Sequence, residues 1–154
     1  MLDDGDIKKL GPPADLLGDE STEKDSLPII RGPMITDYSY ISGEEEFNDG
    51  QLIAKEGKYG RWIWLVLDGT VDVVKETNNG PLTISRLGEG SFIGTFTALL
   101  FGKYARKSTV VARGKVTLCI LDTERFASEF NNLSPEFRAV LLSLDKRLTK
   151  ISDR

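Results

Sequence analysis

Apolar and polar positions alternate along the middle of the chain, and the period of the alternation changes near the C-terminus. Gln51-Leu-Ile-Ala-Lys55 reads as a short strand closed by a turn at Glu56-Gly57. Trp62-Ile-Trp-Leu-Val-Leu67 is apolar on both faces, as a strand lying between two layers would be. Asp68-Gly69 carries a turn signal, after which Val71 and Val73 alternate with polar neighbours. Asn78-Asn79-Gly80-Pro81 predicts a hairpin turn into Leu82-Thr-Ile-Ser-Arg-Leu87, which alternates again. Two more strands fall at Ser108-Thr-Val-Val-Ala112 and Val116 to Leu121. Short strands with turn signals at intervals of about eight to twelve residues predict an antiparallel sandwich or barrel.

The last thirty or so residues change to helical spacing. Asp122 can cap a short helix through Phe130, and Ser134-Pro135 supplies an N-cap followed by proline at the first helical position. Phe137, Val140, Leu141, Leu144, Leu148 and Ile151 then form one stripe at three-to-four spacing. Such a stripe covers its own barrel or pairs with a second copy as a short coiled coil, and both readings stand. At the other end, residues 1–34 are rich in Asp, Glu, Ser, Pro and Gly and lack periodicity. Of the 24 acids, 13 lie in residues 1–50 against four bases, so residues 1–34 are expected to be a flexible acidic arm ahead of one domain at 35–154. Leu10, Leu16, Leu17, Ile29 and Ile30 are the residues able to pin parts of that arm to the domain.

Composition removes several classes of chemistry. The chain has no histidine, which excludes Ser-His-Asp and Cys-His catalysis, His-ligated zinc, and the histidine-bound metals of many double-sheet barrel enzymes. The single cysteine, Cys119, sits inside Val116-Thr-Leu-Cys-Ile-Leu121 and reads as a buried core thiol. No apolar run approaches the roughly 18 residues needed to span a bilayer. The start, Met-Leu-Asp-Asp-Gly-Asp, has neither a basic nor an apolar signal region, so a cytoplasmic setting without membrane contact is expected. A net charge of −4 argues against broad nucleic-acid binding.

One stretch reverses the sign of that charge. Between Gly90 and Leu121 there is no acid, while Lys103, Arg106, Lys107, Arg113 and Lys115 are all basic. Gly88, Gly90 and Gly94 crowd the entry to this stretch, an apolar run follows, and Arg106-Lys107 closes it. Glycine lets backbone approach a ligand, a helical turn after Gly94 would aim free N–H groups at an anion, and arginine grips two phosphate oxygens at once. The ordinary alternative is a plain strand-to-helix corner.

From about Phe47 to Ile151 the chain resembles the cyclic nucleotide-binding domain family, the sensor half of catabolite-activator-type regulators, protein kinase A regulatory subunits and cyclic-nucleotide-gated channels. The matching residues are Gly50-x-x-Ile53-x-x-Glu56-Gly57, Leu65-Val-Leu-Asp-Gly69-x-Val71-x-Val73 and Leu87-Gly88-x-Gly90-x-Phe92-x-Gly94. Ala98-Leu99-Leu100, Arg106, Ser108-Thr109-Val110, Leu121-Asp122, Phe126 and Pro135 continue the match. The resemblance implies a mainly β fold with flanking helices, a double-stranded β-helix (jelly-roll) barrel followed by C-terminal helices. It also implies a phosphate-binding cassette in which Gly94 opens a short helical turn, Thr95 and Phe96 offer N–H groups, and Arg106 neutralises the phosphate. Lys107 adds positive potential and Ser108 a hydroxyl. The family's ribose-binding glutamate is missing, because Thr95 stands in its place.

The resemblance thus implies a non-enzymatic sensing domain that needs no cofactor and takes cyclic AMP or cyclic GMP, or a related small phosphate, in its pocket. The alternative is a degenerate member that binds no nucleotide and serves as an interaction module. A homodimer through the C-terminal helix, or a partner protein, is expected in either case. Direct DNA binding is not expected, since a helix-turn-helix would have to follow the last helix.

Overall fold

The computed structural model describes residues 26–60, 63–95, 99–100 and 104–152, with backbone alone for 59, 104–105 and 147–152. The strands are β1 (Ile29–Ile30), β2 (Ile41–Phe47), β3 (Leu52–Ala54), β4 (Tyr59–Gly60) and β5 (Trp64–Thr77). They continue with β6 (Gly80–Leu87), β7 (Phe92–Ile93), β8 (Tyr104–Ala105) and β9 (Thr109–Leu121). A 3-10 turn spans Tyr38–Tyr40, and the helices are α1 (Thr123–Asn131) and α2 (Pro135–Ser152).

Strands β5 and β9, 14 and 13 residues long, are the frame. They pair antiparallel from Trp64↔Ile120 to Val74↔Thr109. Each runs through a place where the pattern predicts a break. Asp68-Gly69 is a bulge rather than a turn: Asp68 pairs with Thr117 and the next pair is Thr70↔Arg113, so β9 makes an excursion opposite Gly69. Gly69 has φ +99, and a Cβ there would stand 2.6 Å from the Lys115 carbonyl oxygen, so the crossing is open to glycine alone. The β5–β6 hairpin falls where expected, with Thr77↔Gly80 closing a two-residue Asn78-Asn79 turn and Thr77 Oγ1 donating to the Gly80 carbonyl at 2.6 Å.

The expected jelly-roll barrel is not formed. The hydrogen-bonded order is β1-β6-β5-β9-β2, with β3 added to β9 and β7 to β5, while β4 and β8 make a separate two-stranded ribbon. This path has two ends, so the sheet is open. It is also mixed, because β1 lies parallel to β6 through Ile29↔Arg86 and Ile30↔Leu87. Closure requires the two edge strands to find each other in register. Here β1 offers only two residues and spends them on β6, and β2 is committed to the Val116–Leu121 half of β9.

Both faces of the sheet are covered, as the doubly apolar start of β5 predicts. Trp64, Val66 and Val71 pack with Ala54, Ile93, Val110, Ala112, Val116 and Leu118. Ile63 and Leu65 pack instead with Leu99, Cys119 and Leu121, where Ile35, Ile41 and Phe126 of α1 join them. Each of these large side chains stabilises the fold by about 1.5–3 kcal/mol on burial. The Cys119 thiol is in this core, and burial first, then the Glu44 charge, pushes its pKa up.

Ile29 and Ile30 pin the segment before the 3-10 turn to β6, reinforced by Gly88 N–H donating to the Ile30 carbonyl at 2.8 Å and by the Arg31–Glu89 ion pair at 3.1 Å. Leu10, Leu16 and Leu17 lie outside the described residues. Helix α1 starts where the capping pattern places it, with the Asp122 carboxylate accepting from Arg125 N at 3.2 Å. In α2 the Ser134 hydroxyl accepts from Phe137 N at 3.1 Å. In the described part of the α2 stripe Phe137, Val140 and Leu144 are 54%, 58% and 45% exposed, while Leu141 is partly buried. Among the described residues no helix is long and apolar enough to cross a membrane.

Candidate functional site

Arg106 follows directly on β8 and is clamped by the backbone of the chain that leads into β4. Its N–H donates to the Lys58 carbonyl at 2.8 Å, and its carbonyl accepts from Gly57 N at 2.9 Å. These bonds prolong the ribbon pairing Tyr59↔Ala105 and Gly60↔Tyr104. The guanidinium therefore starts from a fixed backbone position. It turns inward over the indole of Trp64, with Cζ 5.1 Å from the ring centroid, and is half-buried. A cation over an indole face gains about 0.5–2 kcal/mol, more as water is excluded.

Two features of the local sequence permit this. Gly60 faces the guanidinium so closely that a Cβ there would overlap Nη2, Nε and Cζ of Arg106. Trp64 is 4% exposed in the core, and its Nε1–H donates to Glu45 Oε1 on β2 at 2.9 Å, which fixes the ring. Burial pushes the Arg106 pKa down from its ordinary value. The cause is loss of water around a group that stays charged, so the arginine is a partly desolvated cation.

The residues after Arg106 are held by the Lys75 side chain and by the backbone of Glu56. The Lys107 side chain is exposed, but its carbonyl accepts from Lys75 Nζ on β5 at 2.5 Å. Ser108 is partly buried. Thr109, 7% exposed, accepts through Oγ1 from Glu56 N at 3.0 Å. Residues 106–109 thus form a cationic stretch whose backbone is tied on both sides.

The other half of the predicted cassette meets β5 one residue earlier. Gly94 has φ +139, and a Cβ there would lie 2.8 Å from Ile63 Cδ1, so both conformation and space require glycine. Thr95 is partly buried, and its carbonyl accepts from Leu99 N at 3.0 Å. Leu99 drops into the core beside Ile63. Phe96 lies outside the described residues. Gly94 and Arg106 therefore abut consecutive residues of the chain, Ile63 and Trp64, whose side chains belong to the two different core clusters.

Pattern reasoning does not reach Gly60, Trp64, Glu45 or Lys75. The one available signal is Trp64 itself, an indole whose N–H must find an acceptor when buried. Among the described residues no three His, Cys, Asp or Glu side chains converge as a metal site.

Comparison with known proteins places the chain in a family. A family model described as the cyclic nucleotide-binding domain matches residues 44–132, more than half of the chain. A cAMP-dependent protein kinase regulatory subunit from Mucor circinelloides f. lusitanicus is 31% identical over 80 residues, which are 52% of this chain. The aligned part spans only 18% of that relative's length. Among solved structures, the cAMP-bound form of the EAL enzyme Bd1971 superposes with a TM-score of 0.61 at 22% identity, covering 71% of this chain and 29% of that one. The N-terminal domain of a transcriptional regulator from Streptomyces coelicolor A3(2) gives a TM-score of 0.55 at 21% identity, covering 92% of this chain and 90% of that one. At such identities the superpositions speak for the fold, and the matched family model speaks for membership. The chain belongs to the cyclic nucleotide-binding domain family.

Proposed function

We propose that this chain is a non-enzymatic regulatory domain of the cytoplasm that senses a cyclic nucleotide, cyclic AMP or cyclic GMP, through the segment from Gly94 to Ser108. The observation that carries the reading is the half-buried Arg106 guanidinium over Trp64. A cation that has already lost part of its water gains more from a phosphate than one on the open surface, because the charge-assisted bonds form in a lower dielectric. In this reading Arg106 neutralises the cyclic phosphate, the N–H groups of Thr95 and Phe96 approach it, and Lys107 and Ser108 complete the contacts. Thr95 offers a hydroxyl where a carboxylate would grip the ribose, so affinity is modest. Titration calorimetry of the chain and of Arg106→Gln with cyclic AMP and cyclic GMP tests the reading. Heat in the parent that vanishes in the variant supports it, and no heat from either nucleotide at about millimolar concentration overturns it.

A second reading has its own observation. The exposed α2 residues Phe137, Val140 and Leu144 make an apolar stripe with a period suited to another helix. In that reading the domain is an interaction or dimerisation module whether or not nucleotide binds. Sedimentation velocity separates the two readings, since a monomer at every concentration, with and without nucleotide, removes the dimer.

A further inference from the structure

We infer that Trp64 is the positioning residue for Arg106, with Glu45 holding the indole and Gly60 leaving room for the guanidinium, so that an arriving phosphate meets a cation already in place. This rests on the reading that Arg106 is the phosphate-binding arginine. Any large apolar side chain could fill the space among Ala54, Val66, Ile93 and Leu118. Two features require an indole instead. One is the N–H that reaches Glu45 Oε1 at 2.9 Å, and the other is the broad ring face 5.1 Å beneath Arg106 Cζ. The carboxylate fixes the indole by its edge, and the indole supports the guanidinium by its face. Gly60 adds the third constraint, because the backbone of β4 lies against Nη2, Nε and Cζ.

This arrangement does for a long side chain what ordering on binding would otherwise have to do. Arginine loses rotamer freedom when it is immobilised, and a support present before the ligand arrives removes part of that loss. A guanidinium resting on a ring uses its face for the ring and keeps its in-plane N–H donors for an anion. The Glu45 carboxylate is set one residue back from the cation, where it accepts from the indole N–H.

The experiment uses Gly60→Ala, Glu45→Gln, Trp64→Phe and Trp64→Leu in the full chain, with Arg106→Gln as reference. Gly60 is the sharpest probe, since the only atoms its new methyl is shown to meet belong to the flexible end of Arg106. Affinity for cyclic AMP and cyclic GMP is read by calorimetry. The near-ultraviolet circular dichroism and emission of Trp64 are read without ligand in a Trp62→Phe background, which leaves one tryptophan of the two. Displacing the guanidinium is expected to weaken binding roughly three- to thirtyfold in Gly60→Ala and Trp64→Leu. The unfolding midpoint of Gly60→Ala stays at the parent value, and Trp64→Phe, which keeps a ring face, recovers part of the affinity lost in Trp64→Leu. Without ligand, Gly60→Ala reproduces the spectral change caused by Arg106→Gln. Parent-like affinity and spectrum in Gly60→Ala overturn the inference while leaving the sensing reading intact. If the parent binds neither nucleotide, the sensing reading fails, and the spectra alone decide whether Trp64 positions the guanidinium. Should Trp64→Leu fail to fold, Gly60→Ala and Glu45→Gln decide the question.

Discussion

Replacing Asp72 by asparagine removes the charge on which the β5–β6–β9 frame converges. Asp72 and Arg86 are cross-strand partners, joined Oδ1 to Nε at 2.9 Å, and their side chains are 9% and 3% exposed. Asp72 Oδ2 also lies 3.7 Å from Nη1 of Arg113 on β9, whose side chain is 37% exposed. Removing one member of a buried pair leaves the other charge desolvated and uncompensated, at a cost of about 3–5 kcal/mol. Asp72→Asn takes this carboxylate from Arg86, whose side chain is 3% exposed. Arg86→Met does less harm, because methionine fills most of the vacated volume and Arg113 remains close enough to swing toward Asp72. Its cost is about 1–3 kcal/mol, the penalty of a weakened charged hydrogen bond. For a chain of this size 1 kcal/mol moves the unfolding midpoint by about 2–4 °C. Asp72→Asn is therefore expected to lower it by about 6–20 °C. Urea unfolding followed by far-ultraviolet circular dichroism, with the slope checked for constancy, measures both variants and their double. The double variant is expected to cost less than the sum of the singles, since no charge is left buried without a partner. Asp72→Asn within about 1 kcal/mol of the parent, or Arg86→Met as the costlier of the two, refutes this account.

Two further outcomes follow from single positions. Thr95→Glu restores a carboxylate acceptor beside Gly94, and a hydrogen bond to a charged group contributes about 1.5–3 kcal/mol, so cyclic-nucleotide affinity measured by calorimetry is expected to rise roughly ten- to a hundredfold. Unchanged or weaker binding would show that Thr95 does not face the ribose. The Glu89 carboxyl is held below its ordinary value of 4.5, first by its own backbone N–H, then by Gly69 N–H, then by Arg31. Since its folded pKa is the lower one, its contribution to stability is complete above pH 4.5 and is lost as pH falls through the folded value. The parent is expected to be more stable than Glu89→Gln at neutral pH, with the gap closing below about pH 4.5 in acid urea titrations; a gap independent of pH contradicts the assignment.

Local chemistry was legible in the sequence, and pairing between distant segments was not. The Asn78-Asn79-Gly80 hairpin, the Asp122 and Ser134 caps and the glycine at 94 each depend on a few adjacent residues, so their signals survive without knowledge of the rest. Asp68-Gly69 carried the same signal as a turn because a bulge at φ +99 needs the same residue types. Arg86 read as one polar position in an alternating strand, and only the register Asp72↔Arg86 turns it into a buried ion pair. Barrel closure failed as an expectation for a related reason: it is a property of the two edge strands, and nothing local in Ile29–Ile30 states that it will lie parallel on β6. At the candidate site, Arg106 and Gly94 were legible as a spaced pattern. The Trp64–Glu45 support was not, because it is built across β2 and β5.

The two halves of the candidate site stand against consecutive residues, Ile63 just before β5 and Trp64 at its start. These two side chains belong to different core clusters while standing side by side in the chain. Trp64 carries Arg106 on one side. Ile63 carries Gly94 and shares its cluster with Leu99 of the turn and Phe126 of α1. A displacement of Leu99 would thus reach α1 through packed side chains. Helix α1 is itself held to the 3-10 turn by Arg125 over the Tyr40 ring at 3.8 Å and by Tyr40 Oη donating to Glu129 at 2.7 Å. Helix α2, with its exposed Phe137, Val140 and Leu144, follows α1 after three residues. Under the proposed reading, occupancy of the cassette is expected to be felt at α1 through the cluster that Leu99 and Phe126 share, and from there at α2, whose Phe137, Val140 and Leu144 are exposed.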